Sequence, residues 1–139
     1  SSVSTTYDFE RLRNKHLHQG LLLVNIRLIR MGDTEIPITN TINELIKDRD
    51  QSLGTCACCG MQFDTVRKSY ACEFDHANEA KKNAPFTVLL RLADTDRLIK
   101  EIKNCGLNIF CSNCHKLKTD KLDMINSEGK TVSHEFWRL

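Results

Sequence analysis

Two short cysteine clusters, Cys56-Ala57-Cys58-Cys59-Gly60 and Cys111-Ser112-Asn113-Cys114, constrain this chain more than any other feature. Each has C-x-x-C spacing, the gap at which two thiolates on one tight turn converge on a single ion. Two such knuckles complete a tetrahedral four-sulfur shell. Soft thiolates in a closed tetrahedron select zinc over magnesium or calcium. Gly60 follows the first pair, where a Cβ would obstruct the turn. Cys58 competes with Cys59, but only Cys56 and Cys59 have the two-residue gap, so the expected ligands are Cys56, Cys59, Cys111 and Cys114. The alternatives, one accidental pair or a pair of redox dithiols, are disfavoured by two knuckles at compatible spacing in one small domain. Seven cysteines is an odd count, which excludes a fully paired disulfide framework. Cys72 and Cys105 have no close partner in sequence, as expected of small buried residues.

Composition narrows the class and little else. A chain of 139 residues fits one compact domain with a sizeable core. The longest uninterrupted apolar run, Leu21-Leu22-Leu23-Val24, is far short of the roughly 20 residues of a membrane span. No charged segment followed by an apolar one opens the sequence, so an intracellular protein, cytoplasmic or nuclear, is expected. Twenty Lys and Arg against 18 Asp and Glu leave a formal charge of +2, too even to mark a nucleic-acid binder. Zinc ligation moves it further: four thiolates subtract four and the ion adds two, giving 2 − 4 + 2 = 0. Any claim about a polyanion must come from local charge.

The pattern along the chain reads as α+β. Residues 1–52 form an N-terminal helical and hairpin extension packed on the core, and residues 53–139 form the core with a C-terminal tail. Asp8 can cap a short helix through Gln19. Val24, Ile26 and Leu28 alternate as in a strand, and Met31-Gly32-Asp33 turns the chain toward Ile36-Pro37-Ile38. Thr41-Ile42-Asn43-Glu44 has capping-box spacing ahead of an apolar stripe. Thr87 is placed to cap Val88-Leu89-Leu90, and a helix is expected from Thr95 to Asn104, with Leu98, Ile99 and Ile102 on one side. Glu128-Gly129 reads as a turn, and Phe136-Trp137 as core aromatics.

Between the cysteine pairs the residue types carry chemistry. Ser69 to Phe74 reads as a strand ending in Asp75-His76. Leu107 to Phe110 reads as a second strand running into the second knuckle, and Cys111 to Lys121 continues as a helix carrying His115 and Lys118. A zinc clamp therefore brings Asp75, His76, Asn108 and His115 toward one another. A carboxylate and an imidazole can share one divalent ion and leave positions open for a phosphate and water. A separate imidazole, neutral near pH 7, can act as general base, oriented by an amide such as Asn108. That assembly suits phosphodiester hydrolysis. Read singly, Asp75 is a strand-end cap, His76 a satisfied histidine, and His115 a neighbour or substitute ligand of the zinc.

These residues resemble the HNH nuclease superfamily, whose ββα-metal core is often stapled by zinc on four cysteines. The likeness lies in Cys56–Gly60, then Phe74-Asp75-His76, then Cys111-Ser112-Asn113-Cys114-His115-Lys116-Leu117-Lys118-Thr119, in that order, across residues 53–121. The resemblance implies a metal-dependent DNA endonuclease or nickase. His76 matches the general base, and Asp75 and His115 match the ligands of a catalytic divalent ion, Mg²⁺ or another. Asn108 is the candidate for the asparagine that positions the base, with Asn104 and Asn113 as rivals. The resemblance also implies cleavage to a 5′-phosphate and a 3′-hydroxyl, worked in the minor groove of distorted DNA.

Local charge fits a polyanion. Lys116, Lys118 and Lys121 decorate the second-knuckle helix, Lys81-Lys82 follow Asp75-His76, and Arg67-Lys68 precede them; Lys116, Lys118, Lys81 and Lys82 are the expected phosphate contacts. Double-stranded DNA is the expected partner, and a homodimer is one arrangement that would pair two cuts. A rival reading from another class is a zinc-stapled nucleic-acid-binding module with an inactive centre. A third is a protein-interaction domain that uses the N-terminal helices.

Overall fold

The computed structural model describes residues 35–63, 71–92 and 94–139. The expected helix at 8–19, the alternating stretch at 21–31 and the basic pair Arg67-Lys68 lie outside these residues.

Four helices and two small antiparallel sheets make up the described chain, a mixed α+β arrangement. In order they are α1 (Glu35–Lys47), β1 (Cys72–His76), a 3-10 turn (Glu79–Lys81), α2 (Phe86–Arg91), α3 (Thr95–Cys105), β2 (Leu107–Cys111), α4 (Ser112–Thr119), β3 (Met124–Ile125), β4 (Thr131–Val132) and a final 3-10 turn (His134–Trp137). β1 pairs with β2 and β3 with β4.

α1 exists because Ile38, Ile42 and Ile46 recur at four-residue spacing and all three are buried. The helix already contains Ile36-Pro37-Ile38 and Thr41-Glu44, so the strand-like and capping-box readings of those residues give way to one longer helix. Pro37 is accommodated because the amides of a helix's first turn have no partner within the helix anyway. α1 packs on α3 and β2, and its isoleucines join one core with Phe63, Phe74, Leu98, Ile102, Phe110 and Trp137. Residues 35–52 are thus part of the same packing unit as the strands.

Helix α3 closes the gap between the two strands. Asp94 caps it by accepting from the Arg97 amide at 3.2 Å, and Gly106 ends it with φ +76°. A Cβ at Gly106 would lie 3.2 Å from Ala77 Cβ and 2.7 Å from the movable end of Leu139, so it is the backbone angle that demands glycine. The chain passes directly from Gly106 into β2. α2 starts after Pro85 without a side-chain cap, so Thr87 does not play the role its spacing suggests.

The β1–β2 register pairs Cys72 with Cys111, Asp75 with Asn108 and His76 with Leu107. Strand β1 ends in Asp75-His76, as expected. At the C-terminus the β3–β4 hairpin turns through Gly129, at φ +77°, and delivers Trp137 edge-on to Phe110 with 5.3 Å between ring centroids. Trp137 is core, as expected; Phe136 is 70% exposed and is not. No helix among the described residues is long and apolar enough to cross a membrane.

Candidate metal centres and the cleft beside them

The four-sulfur cluster is built by two turns and one strand. In the first turn Cys56 N–H donates to Met61 O at 2.8 Å, and Gly60, at φ +81°, donates back to Cys56 O at 3.1 Å. The turn is pinned to β2 by Ala57 N–H donating to Ile109 O at 2.7 Å. In the second, Cys111 is the N-cap of α4, its sulfur accepting from the Cys114 amide at 3.4 Å. Cys56, Cys59, Cys111 and Cys114 thereby bring their sulfurs within 4.8 Å of one another. Cys59 Sγ and Cys111 Sγ are 3.7 Å apart, and two sulfurs 2.3 Å from a tetrahedral zinc would be about 3.8 Å apart. The donor set and its spacing can hold a structural zinc ion.

Charge points the same way. Hydrogen bonds from Cys111 and Cys114 hold the Cys56 thiol far below its ordinary value, while hydrogen bonds to Cys111 and Cys56, together with burial, push Cys114 up. With no cation the cluster favours one thiolate at the expense of its neighbours; a dication removes that conflict. Cys58 is not part of the shell. Its thiol turns to Ile125 O at 3.4 Å, and burial, with the Cys56 charge beside it, raises its pKa.

Asp75, His76 and His115 line one cleft of ≈ 410 Å³, together with Glu79, Lys82, Phe86, Thr87 and Thr119. Asp75 is buried and its two oxygens have different neighbours. Oδ2 accepts from Lys118 Nζ at 2.8 Å and Asn108 Nδ2 at 2.9 Å, whereas Oδ1 faces His115 Nε2 at 3.3 Å. Burial pushes the Asp75 carboxyl up, but hydrogen bonds from His115, Lys118 and Asn108 outweigh it and hold the group below its ordinary value.

His115 is aimed by a carboxylate. Glu73 lies two residues before Asp75 and so on the same face of β1. Its Oε1 takes the His115 Nδ1 hydrogen at 2.6 Å, and Ser112 Oγ fixes its other oxygen at 2.8 Å. Nε2 is then left facing Asp75 Oδ1. Two acceptors meeting at 3.3 Å need a proton or a cation between them. Without a metal the proton is retained: the bond to Asp75, and then that to Glu73, raise the His115 pKa against burial. The same pair fits a divalent ion, since adjacent ligands of an octahedral cation lie about 3 Å apart.

His76 has a different setting. It stacks on Phe86 at 3.8 Å between centroids, and its Nε2 donates to Glu101 Oε2 at 3.0 Å. Glu101 is held as the anion: burial opposes ionisation, but the Asn83 and Ala84 amides (2.9 and 3.3 Å), His76 and Cys105 outweigh it. Burial lowers the His76 pKa, with Glu101 acting against it, so the ring is neutral near pH 7.

Two expected roles fall differently. Asn108 does not reach His76. Residues directly opposed across an antiparallel pair share a face, so Asn108 shares the face of Asp75, while His76 is on the other. The Asn108 side chain is saturated: it donates to Asp75 and to Trp137 O, and accepts from Arg49 Nη2 (2.8 Å) and Gln51 Nε2 (3.0 Å). Lys118, expected at a phosphate, is 0% exposed, its ammonium held by Asp75 and by His76 O at 2.9 Å. Of the other lysines, Lys82 lines the cleft, Lys81 is exposed on the preceding turn, and Lys116 is exposed and paired with Asp120. Asn104 donates to Lys81 O, and Asn113 is exposed on α4.

Glu101 and Glu73 are the residues that sequence reading missed. Glu101 had a signal: it falls on the buried face of α3 with Leu98, Ile102 and Cys105, where a carboxylate needs partners. No protein-family model matches the chain, and no curated protein or solved structure is significantly similar to it.

Proposed function

We propose that this chain is a metal-dependent DNA endonuclease or nickase of the HNH type, hydrolysing phosphodiester bonds with His76 as general base. The observation that carries the proposal is the meeting of Asp75 Oδ1 and His115 Nε2 at 3.3 Å in the cleft that His76 also lines. A divalent cation there, Mg²⁺ or another, would neutralise charge building on the scissile phosphate and its leaving oxygen. Asp75 and His115 would hold it, Glu73 fixing the tautomer of His115 and Lys118 with Asn108 fixing the Asp75 carboxylate. Glu101 acts as the positioning residue in place of an asparagine. By accepting from Nε2 it leaves the lone pair on Nδ1, the nitrogen that takes the proton of the attacking water. Phe86 keeps the ring plane fixed. Lys82, Thr87 and Thr119 lie where backbone phosphates would enter the cleft.

Plasmid nicking in Mg²⁺ or Mn²⁺ tests this, with His76→Ala as comparator. The substitution is expected to lower the rate about 10²- to 10⁴-fold, the worth of a general base, while the protein keeps its zinc. Equal cleavage by both proteins rejects His76 as the base. The rival reading, a DNA-binding module with an inactive centre, draws on one observation, the Lys118 ammonium already neutralising Asp75. It predicts DNA binding with no cleavage in any divalent metal.

A further inference from the structure

Glu101 has a second neighbour besides His76. Cys105 lies one turn along α3, and its sulfur is 3.5 Å from Glu101 Oε2, the same oxygen that His76 Nε2 approaches to 3.0 Å. All three side chains are buried, and one nitrogen, one oxygen and one sulfur fall within 4.8 Å of one another. An imidazole N–H and a thiol S–H thus converge on a single carboxylate oxygen. We propose that a zinc ion can take the place of those two hydrogens, held by His76 Nε2, Glu101 and Cys105 Sγ, in a second and inhibitory zinc site.

Geometry, ligand chemistry and charge each support it. Around a tetrahedral zinc an oxygen–nitrogen edge is about 3.3 Å and an oxygen–sulfur edge about 3.5 Å, against 3.0 and 3.5 Å here. The mixed nitrogen, oxygen and sulfur set suits zinc and excludes magnesium, which demands oxygen. The Asn83 and Ala84 amides already orient the Glu101 carboxylate. With neutral His76 and a protonated Cys105 the triad carries one buried negative charge. Zinc with thiolate, carboxylate and neutral imidazole sums to zero, and the thiol proton leaves to water with no change of oxidation state. Glu101 also lines a second cleft of ≈ 140 Å³, with Arg97, Lys100 and Asn104, and His76 lines the first, so the triad lies between two openings. Lys82 beside His76, Lys81 and Lys82 beside Cys105, and Arg97 and Lys100 in the second cleft repel a cation. The site therefore fills only after the four-sulfur shell, which makes it responsive to excess zinc.

The inhibition rests on the proposed role of His76; the metal site does not. A neutral imidazole bound to zinc through Nε2 carries its hydrogen on Nδ1 and has no lone pair left for a proton from water.

Cobalt titration of protein already loaded with one equivalent of zinc tests the site. Sulfur-to-cobalt charge-transfer absorption reports a thiolate ligand, and the Asp75–His115 pair contains no sulfur. One further cobalt should bind with that band in the unsubstituted protein and in Cys72→Ala, whose lost thiol is outside the triad. Cys105→Ser should lose the band. Glu101→Gln, which keeps the thiol, should bind cobalt more weakly by more than the roughly 10- to 100-fold that loss of an outer partner costs. No band in the unsubstituted protein, or a band surviving in Cys105→Ser, overturns the site. In the nicking assay, zinc that stops the unsubstituted protein should not further slow Cys105→Ser. A cobalt band without zinc inhibition overturns the inhibitory role alone, and a lack of nicking before zinc is added overturns the nuclease reading instead.

Discussion

At one end of the β1–β2 ribbon Cys111 joins three other sulfurs in a mostly buried cluster; at the other, Asp75 and His76 face a cleft open to solvent. The sulfur end can hold a zinc ion, and the Asp75 end is where we propose the catalytic ion; the two differ in what the protein supplies without a metal. Among the described residues the groups that act most strongly on the Cys56, Cys111 and Cys114 thiols are one another, so the geometry of the cluster is expected to depend on the ion. Asp75 has Lys118 at 2.8 Å and His115 at 3.3 Å, so its geometry is already held by protein charges. We therefore expect the sulfur cluster to need its ion to keep its shape, and the Asp75 end to keep its shape without one.

Stripping metal should separate the two ends most sharply. Structural zinc contributes apparent binding energies of about 10–16 kcal/mol in small zinc domains, as much as the whole stability of a typical domain. Cys111→Ser, or a chelator strong enough to take zinc, should abolish the cooperative thermal transition and the near-ultraviolet dichroism of Trp137. A chelator that removes only Mg²⁺ or Mn²⁺ should leave both intact. A zinc-free protein that still melts cooperatively at the same temperature would break the comparison.

What the sequence disclosed follows the same division. The knuckles were legible because ligand spacing is local: Cys56 to Cys59 and Cys111 to Cys114 each span one turn. Helix α3 was legible from its apolar face, and β2 and α4 from their places on either side of the second knuckle, whereas Ile36-Pro37-Ile38 misled because isoleucines two apart around a proline read as extended chain. The partners of His76 and His115 depend on face parity across a strand pair whose register no local pattern reveals. Asn108 sits opposite Asp75 rather than His76, and that one-residue difference moves it to the other face. Glu101 arrives from a helix inserted between the strands, 25 positions from His76.

Glu101→Gln measures how much of the open end depends on that helix. The Asn83 and Ala84 amides and His76 Nε2 all meet Glu101 Oε2, so a Gln that keeps the two amides still presents an oxygen to His76 and removes only the negative charge behind the ring. The rate constant should fall, by less than the roughly 10⁴-fold that a misassigned imidazole tautomer costs elsewhere, with little change in KM. A rise in KM at constant kcat would make Glu101 a binding or folding group instead.

Lys118→Met probes the counter-charge itself. Removing one partner of a buried pair leaves the other charge unbalanced and costs about 3–5 kcal/mol. The loss should show as a lower denaturation midpoint in metal-free buffer. Because a divalent ion can take over the neutralisation of Asp75, saturating Mg²⁺ should raise the midpoint of Lys118→Met more than that of the unsubstituted protein. Equal shifts would mean that the ion binds away from Asp75.

The smallest effect is one of pH. In the absence of a divalent ion, His115 has its pKa raised above the ordinary 6.5, first by its bond to Asp75. Its contribution to stability is therefore complete below 6.5 and is lost as pH rises through the higher folded value. Asp75 is held below the ordinary 3.8 despite burial, so its contribution is present above 3.8 and is lost as pH falls through the lower folded value. Between those limits the pair is intact, and a metal must displace the proton on His115 to bind. Affinity for Mn²⁺, followed by calorimetry in buffers of different ionisation heat, should rise by up to about tenfold per pH unit until His115 is neutral, with up to one proton released per ion. His115→Asn should bind more weakly and lose that slope. A slope unchanged by the substitution would assign the released proton to another group and remove His115 from the ligand set, leaving Asp75 without the partner that makes the open end a metal site.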